Sequence, residues 1–171
     1  MTQDFSNQFQ AIKQSLQTKN LTAAMEKISA LKAVELPVAL RIELLYLSAV
    51  TQRLANQFNQ ALQELDELLH LRPEHGRAYQ EQAYNFLALN QQDKAASAFF
   101  RATHYNPALI TSWKQLLKIY QQHQDTTAEQ LALQHIAHLE QLPPPILGAY
   151  DLMYEKQLAT AEKVCRQFLQ Q

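Results

Sequence analysis

Two prolines stand 34 residues apart in closely similar settings, LHLRP ending at Pro73 and THYNP ending at Pro107. A fixed period of this length marks a supersecondary unit copied in tandem, in which every copy must offer the same apolar columns to its neighbours. The columns are present. Leu45 steps to Tyr79 and Trp113, Ala49 to Ala83 and Leu117, and Leu65 to Phe99 and Leu133. The same step joins Leu68, Ala102 and Ile136, and also Leu71, Tyr105 and Leu139. Every landing is apolar.

Within a copy the apolar residues recur at helical spacing, as in Tyr79, Ala83 and Phe86 and then in Ala95, Phe99 and Ala102. Two helices per copy follow. Between them lies a short polar turn, Asn56-Gln57 in one copy and Asn90-Gln91-Gln92-Asp93 in the next, where asparagine tolerates the left-handed backbone that ends a helix. Ala61 and Ala95 fall where the second helix crosses closest to the first, and proline stops the second helix because it has no amide hydrogen to donate. The chain holds only Gly76 and Gly148 as glycines, so a fold of many glycine turns or a glycine-rich phosphate cradle lacks raw material.

Trp113, Leu116 and Tyr120, together with Tyr79, Ala83, Phe86, Ala95, Phe99, Ala102 and Pro107, resemble the tetratricopeptide repeat pattern of large aromatic, leucine, small residue and tyrosine followed by alanine, aromatic, alanine and proline. Gln82 departs where leucine is usual. Residues 42–75 fit through Leu45, Ala49, Ala61, Leu65 and Pro73, with Gln52 in place of an aromatic. In the copy from Ile110, Glu129 stands in the alanine column and Ala128 one place early, so a one-residue slip is expected there. Phe5, Phe9 and Ile12 with Leu21, Ala24, Ile28 and Leu31 form a degenerate first copy, and Ile146 to Tyr154 with Leu158, Ala161, Cys165 and Phe168 a last one introduced by Pro143, Pro144 and Pro145. The resemblance implies an all-α protein, a right-handed α-solenoid of about five stacked helix hairpins in one superhelical domain over 1–171. Its repeats would be 1–41, 42–75, 76–109, 110–141 and a truncated 142–171.

The stretches NPALITSW and LPPPILGAYDLMYEKQLATAEKVCRQFLQ are similar to tetratricopeptide regions that precede a sulfotransferase domain in some bacterial proteins. That similarity implies a sulfonate-transferring domain beyond Gln171 using the donor PAPS, with the repeats positioning its substrate or mediating assembly. None of the donor-phosphate loop residues is in the chain itself.

The 15 basic and 16 acidic residues are interspersed and nearly cancel, which leaves no electrostatic footprint for nucleic acid or an anionic membrane. Cys165 is the only cysteine, the amino terminus MTQDFSNQFQ lacks a basic stretch and an apolar core, and a cytoplasmic location is expected. His135 and His138 lie three apart on one helix, but a metal site needs three or four converging ligands and no third is evident, so they read as a packing residue and a solvated one. Cys165 falls in an apolar stripe and reads as a small hydrophobe rather than a nucleophile. Glu64, Asp66 and Glu67 flank Leu65 and Leu68 as a solvated face, and the aromatics Tyr79, Phe86, Phe99, Tyr105, Trp113 and Tyr120 occupy structural columns. No catalytic, cofactor or metal residue is expected.

The function expected is therefore binding of a protein or peptide partner. Beside the buried stripe of each first helix, the 34-residue step aligns Tyr46, Val50 and Arg53 with Gln80, Tyr84 and Leu87 and with Lys114, Lys118 and Gln121 as one groove, apolar in the middle and basic at its edges. The lysines and asparagines of modules that clamp a chaperone tail's carboxylate are replaced by Tyr46, Val50, Gln80 and Tyr84, so that clamp is not expected. Leu158, Val164, Phe168 and Leu169 would leave an apolar end exposed, from which a homo-oligomer through solenoid ends is expected.

Overall fold

The computed structural model describes residues 5–170, which form ten helices and no strand. They pair as hairpins: α1 Phe5–Gln17 with α2 Leu21–Lys32, α3 Val38–Leu54 with α4 Phe58–Leu71, and α5 Gly76–Ala88 with α6 Gln92–Tyr105. α7 Ile110–Gln122 pairs with α8 Thr126–Glu140, and α9 Pro144–Tyr154 with α10 Leu158–Leu169. Two compact units result, α1 to α4 with the turn Ala88–Asn90 in the first, and the rest of α5 with α6 to α10 in the second. The first is built on Phe9, Ile12, Ile28, Leu31, Leu44 and Leu47. The second packs Ala83, Ala95, Phe99, Trp113, Leu116, Ala132, Ile136 and Leu139 into one core.

Every hairpin turns in the same way. Its first helix ends on one residue of positive φ, namely Lys19, Asn56, Asn90, Gln124 and Lys156, with φ between 57 and 60°. The next residue's N–H then reaches five positions back, as from Gln57 to the Gln52 carbonyl at 2.8 Å and from Asp125 to that of Tyr120 at 3.0 Å. This is the Schellman closure, and it satisfies carbonyls that a helix end would otherwise leave orphaned. Asn56, Asn90 and Gln124 keep the 34-residue step in the backbone itself. The following residue opens the second helix, and Asn20 and Asp125 also cap it with their side chains, accepting from the amides of Ala23 at 3.1 Å and Ala128 at 3.0 Å. The asparagine turns were legible in the sequence; the same conformation carried by lysine and glutamine was not.

The columns hold with two departures. Leu45, Tyr79 and Trp113 are buried, as are Leu68, Ala102 and Ile136. Leu133, aligned with the fully buried Leu65 and Phe99, is instead 45% exposed, and Leu71 is 38% exposed while its counterpart Leu139 is buried. In α8 the backbone does not slip, since Asp125 opens it 34 residues after Gln91 opens α6. What shifts is the face presented: Ala132 is fully buried in place of Leu133. The cause is Glu129. A carboxylate in the close-crossing column would be costly to bury, and Glu129 instead accepts a hydrogen bond from Gln121 Nε2 at 2.9 Å while α8 offers its alanine side to the core.

Two outcomes test this account. Ala132→Leu should destabilise the protein by about 1–3 kcal/mol through overpacking, whereas Leu133→Ser should stay within about 0.5 kcal/mol, both read from urea midpoints. Gln124→Gly should raise stability by about 0.5–1 kcal/mol, because the left-handed backbone costs a side-chain-bearing residue about 1–2 kcal/mol and glycine's greater unfolded freedom returns only part of that. The same denaturation curves measure it.

Candidate functional site

The residues expected to form the groove lie on three first helices. In the first unit α3 carries Tyr46, Val50 and Arg53, all half-buried. In the second unit α5 carries half-buried Gln80, Tyr84 and Leu87, and α7 carries exposed Lys114, Lys118 and Gln121. Several of the latter six spend their chemistry internally. Gln80 Nε2 donates to Thr111 Oγ1 and Ser112 Oγ, each at 2.8 Å, which ties α5 to the first turn of α7. Tyr84 meets Phe99 edge-on, with centroids 5.3 Å apart, and Leu87 packs on the same core. Lys114 pairs with Glu140 at 2.6 Å, and Gln121 is held by Glu129. Lys118 makes no ion pair among the described residues.

The histidine, cysteine and aromatic candidates lie elsewhere in the second unit. His135 stacks flat on Trp113, with centroids 4.1 Å apart and planes 7° from parallel, while the indole Nε1–H donates to the Pro107 carbonyl at 3.0 Å. His138 is exposed at the rim of an apolar cleft of about 340 Å³ that Leu142, Ile146, Tyr150, Met153 and Cys165 also line. Tyr79 stacks on Tyr105 at 5.5 Å. Burial, with a smaller contribution from Asp125, pushes the Tyr120 hydroxyl above its ordinary range, and a hydrogen bond with Tyr154 does the same for Tyr150, so both stay neutral phenols. At the end of the second unit Leu158 and Leu169 are exposed, whereas Val164 and Phe168 are half-buried. Among the described residues no three His, Cys, Asp or Glu side chains gather as a metal site, and no helix is long and apolar enough to cross a membrane.

A buried polar cluster that sequence reasoning did not single out lies at the start of α5. His75, Asn106 and Glu155 are all buried, Asn106 completely. Glu155, which ends α9, reaches back 78 residues: its Oε1 accepts from the Arg77 backbone N–H at 3.3 Å and from Asn106 Nδ2 at 3.1 Å. A carboxylate from elsewhere in the chain thus caps one amide in the first turn of α5, where the helix dipole favours negative charge. Asp151 on α9 accepts from Asn106 Nδ2 at 2.7 Å and from the Arg77 guanidinium through both its oxygens. Asn106 completes its pairing by accepting from the Ala108 amide at 3.1 Å. Lys156 pairs with Glu74 at 2.7 Å on the exposed side.

Gly76 makes this approach possible. A Cβ there would lie 2.5 Å from Asn106 Cβ and 3.1 Å from the Ala102 carbonyl oxygen. A glycine at a helix start in a chain with only two was the available sequence signal. Gly76→Ala should therefore cost about 1–3 kcal/mol, against almost nothing for Gly148→Ala, whose Cβ would meet no atom within 4 Å; thermal denaturation of the pair decides it.

No protein-family model matches the sequence, and no curated protein matches it. Among solved structures, a crystal structure of the MamA protein covers 99% of this chain and 92% of its own, with a TM-score of 0.63 at 14% identity. A second crystal structure of MamA covers 92% of this chain and 81% of its own, with a TM-score of 0.61 at 13% identity. At such identity the likeness speaks to the backbone alone, and it establishes the fold: an all-α chain of tetratricopeptide-like helix hairpins, of the α-solenoid class.

Proposed function

We propose that the chain is a protein-interaction scaffold that takes an extended peptide of a partner on the first helices of its second unit. The observation that carries this reading is the surface shared by α5 and α7, where half-buried Tyr84 and Leu87 offer an apolar platform and Lys118 adds an uncompensated positive charge. An amphipathic ring on a rigid helix is the kind of anchor that carries binding energy, and repeat helices present such rings on extended surfaces. The chemistry fits a peptide with a hydrophobic anchor and an acidic residue beside it. Tyr46, Val50 and Arg53 form the matching row in the first unit and are proposed to act in the same way. The MamA fold supports a scaffold reading, while a sulfotransferase domain beyond residue 171 finds no support in either neighbour.

The test is to capture partners with this chain, identify them by mass spectrometry, and measure their affinity for variants. Tyr84→Ala with Lys114→Glu and Lys118→Glu should weaken binding about 30-fold or more, a loss of at least about 2 kcal/mol. Lys118→Glu alone keeps the Lys114 pair with Glu140 and isolates the charge contribution. A folded triple variant that binds as tightly as the parent overturns the reading.

A further inference from the structure

His75 and Glu155 are 7% and 5% exposed, and Glu155 Oε2 lies 3.2 Å from His75 Nδ1. The same nitrogen lies 3.3 Å from the Ala78 amide nitrogen, whose N–H points at it. One nitrogen cannot accept from that amide and donate to the carboxylate at once. In a neutral ring with its proton on Nε2, Nδ1 takes the amide hydrogen and sets its lone pair beside the carboxylate, and a neutral ring with its proton on Nδ1 still donates to Glu155 but brings it no positive charge. The charged ring donates to Glu155 as an ion pair, and the Ala78 N–H keeps the His75 carbonyl, 3.0 Å away, so the backbone loses nothing.

Asp151 and Glu155 face the imidazole segment from α9, Asn106 from the segment before α7, and Glu74 and Arg77 lie on the imidazole's own stretch. Arg77 is engaged by Asp151, and Lys156 by Glu74. Histidine is the side chain whose ordinary titration falls between pH 5 and 8.

We propose that the contact between His75 and Glu155 is a proton-operated latch, which holds the α9–α10 hairpin on the start of α5 while the imidazole is charged and slackens when it is not. The sign follows from which form the closed state prefers. Closure favours the protonated imidazole, so its contribution is full below the ordinary histidine range near ~6.5 and is lost as pH rises and the proton leaves.

Hydrogen exchange of the whole chain, corrected for intrinsic rates, tests the latch at pH 6 and pH 8.5. Protection of the α9 amides should fall about tenfold or more between the two in the parent, with α7 as the internal control. In His75→Gln, which cannot change charge, the fall should shrink to less than about twofold. An equal fall in the variant, or none in the parent, overturns the proposal. Should the variant fail to fold by circular dichroism, the imidazole nitrogen shifts of His75 in the parent decide: a proton on Nδ1 at pH 6 that is lost by pH 8.5 supports the latch, and an Nδ1 without a proton at pH 6 sinks it.

Discussion

Two helices joined by a three-residue turn can bury their shared face only if some residue lets the backbones close in, and in this chain that residue is an alanine four places after the second helix opens. Ala24, Ala61, Ala95 and Ala161 hold the position, and each is buried almost completely. Their small volume sets the hairpin spacing, and the larger residues beyond, Leu65 and Leu68 in one copy and Phe99 in the next, then fill the space. Where Glu129 takes the place, the hairpin survives by presenting another face of α8. The rolled helix leaves Leu131 and Leu133 half in water, which shows how far one charged residue redirects a repeat.

This dependence explains what could be read in advance. A period of 34 with alanine and aromatic columns defines two helices per copy, because no other regular structure uses that spacing. It does not define the roll of a helix whose key residue is missing, so Leu133 was assigned to a core it does not enter. The turns divide similarly. Asn56 and Asn90 announce a left-handed residue by type, whereas Lys19, Gln124 and Lys156 adopt it because the Schellman hydrogen bonds and the packing of both helices outweigh a local cost of about 1–2 kcal/mol.

The site divides along the same line. Groove positions follow from helical geometry, so Gln80, Tyr84, Lys114 and Lys118 could be placed on their helices from spacing alone. Their internal engagements could not, since the pairing of Lys114 with Glu140 and of Gln80 with Thr111 and Ser112 depends on how neighbouring helices end and begin. The cluster of His75, Arg77, Asn106, Asp151 and Glu155 was harder still. It joins residues 45 to 80 positions apart, falls between repeats rather than within one, and uses polar types that read in sequence as solvated loop.

That cluster sits where apolar burial is thinnest. Ala149 is the one residue buried in α9 and Ala161 the one buried in α10, and Leu158 and Leu169 remain exposed. A hairpin with so little buried apolar surface gains little from the hydrophobic effect, which rises with area, so its attachment rests in larger proportion on hydrogen bonds and ion pairs. Buried charge pairs have an uneven character: completed they hold a unique geometry, and with one member altered they leave a desolvated group facing nothing that compensates it. In a well-packed helix such an alteration would be absorbed. Here it acts on an element near the low end of local stability, where a change of one to two kcal/mol moves the open population about five- to thirtyfold, and the placement of a single imidazole against Glu155 is enough to make that change depend on a proton.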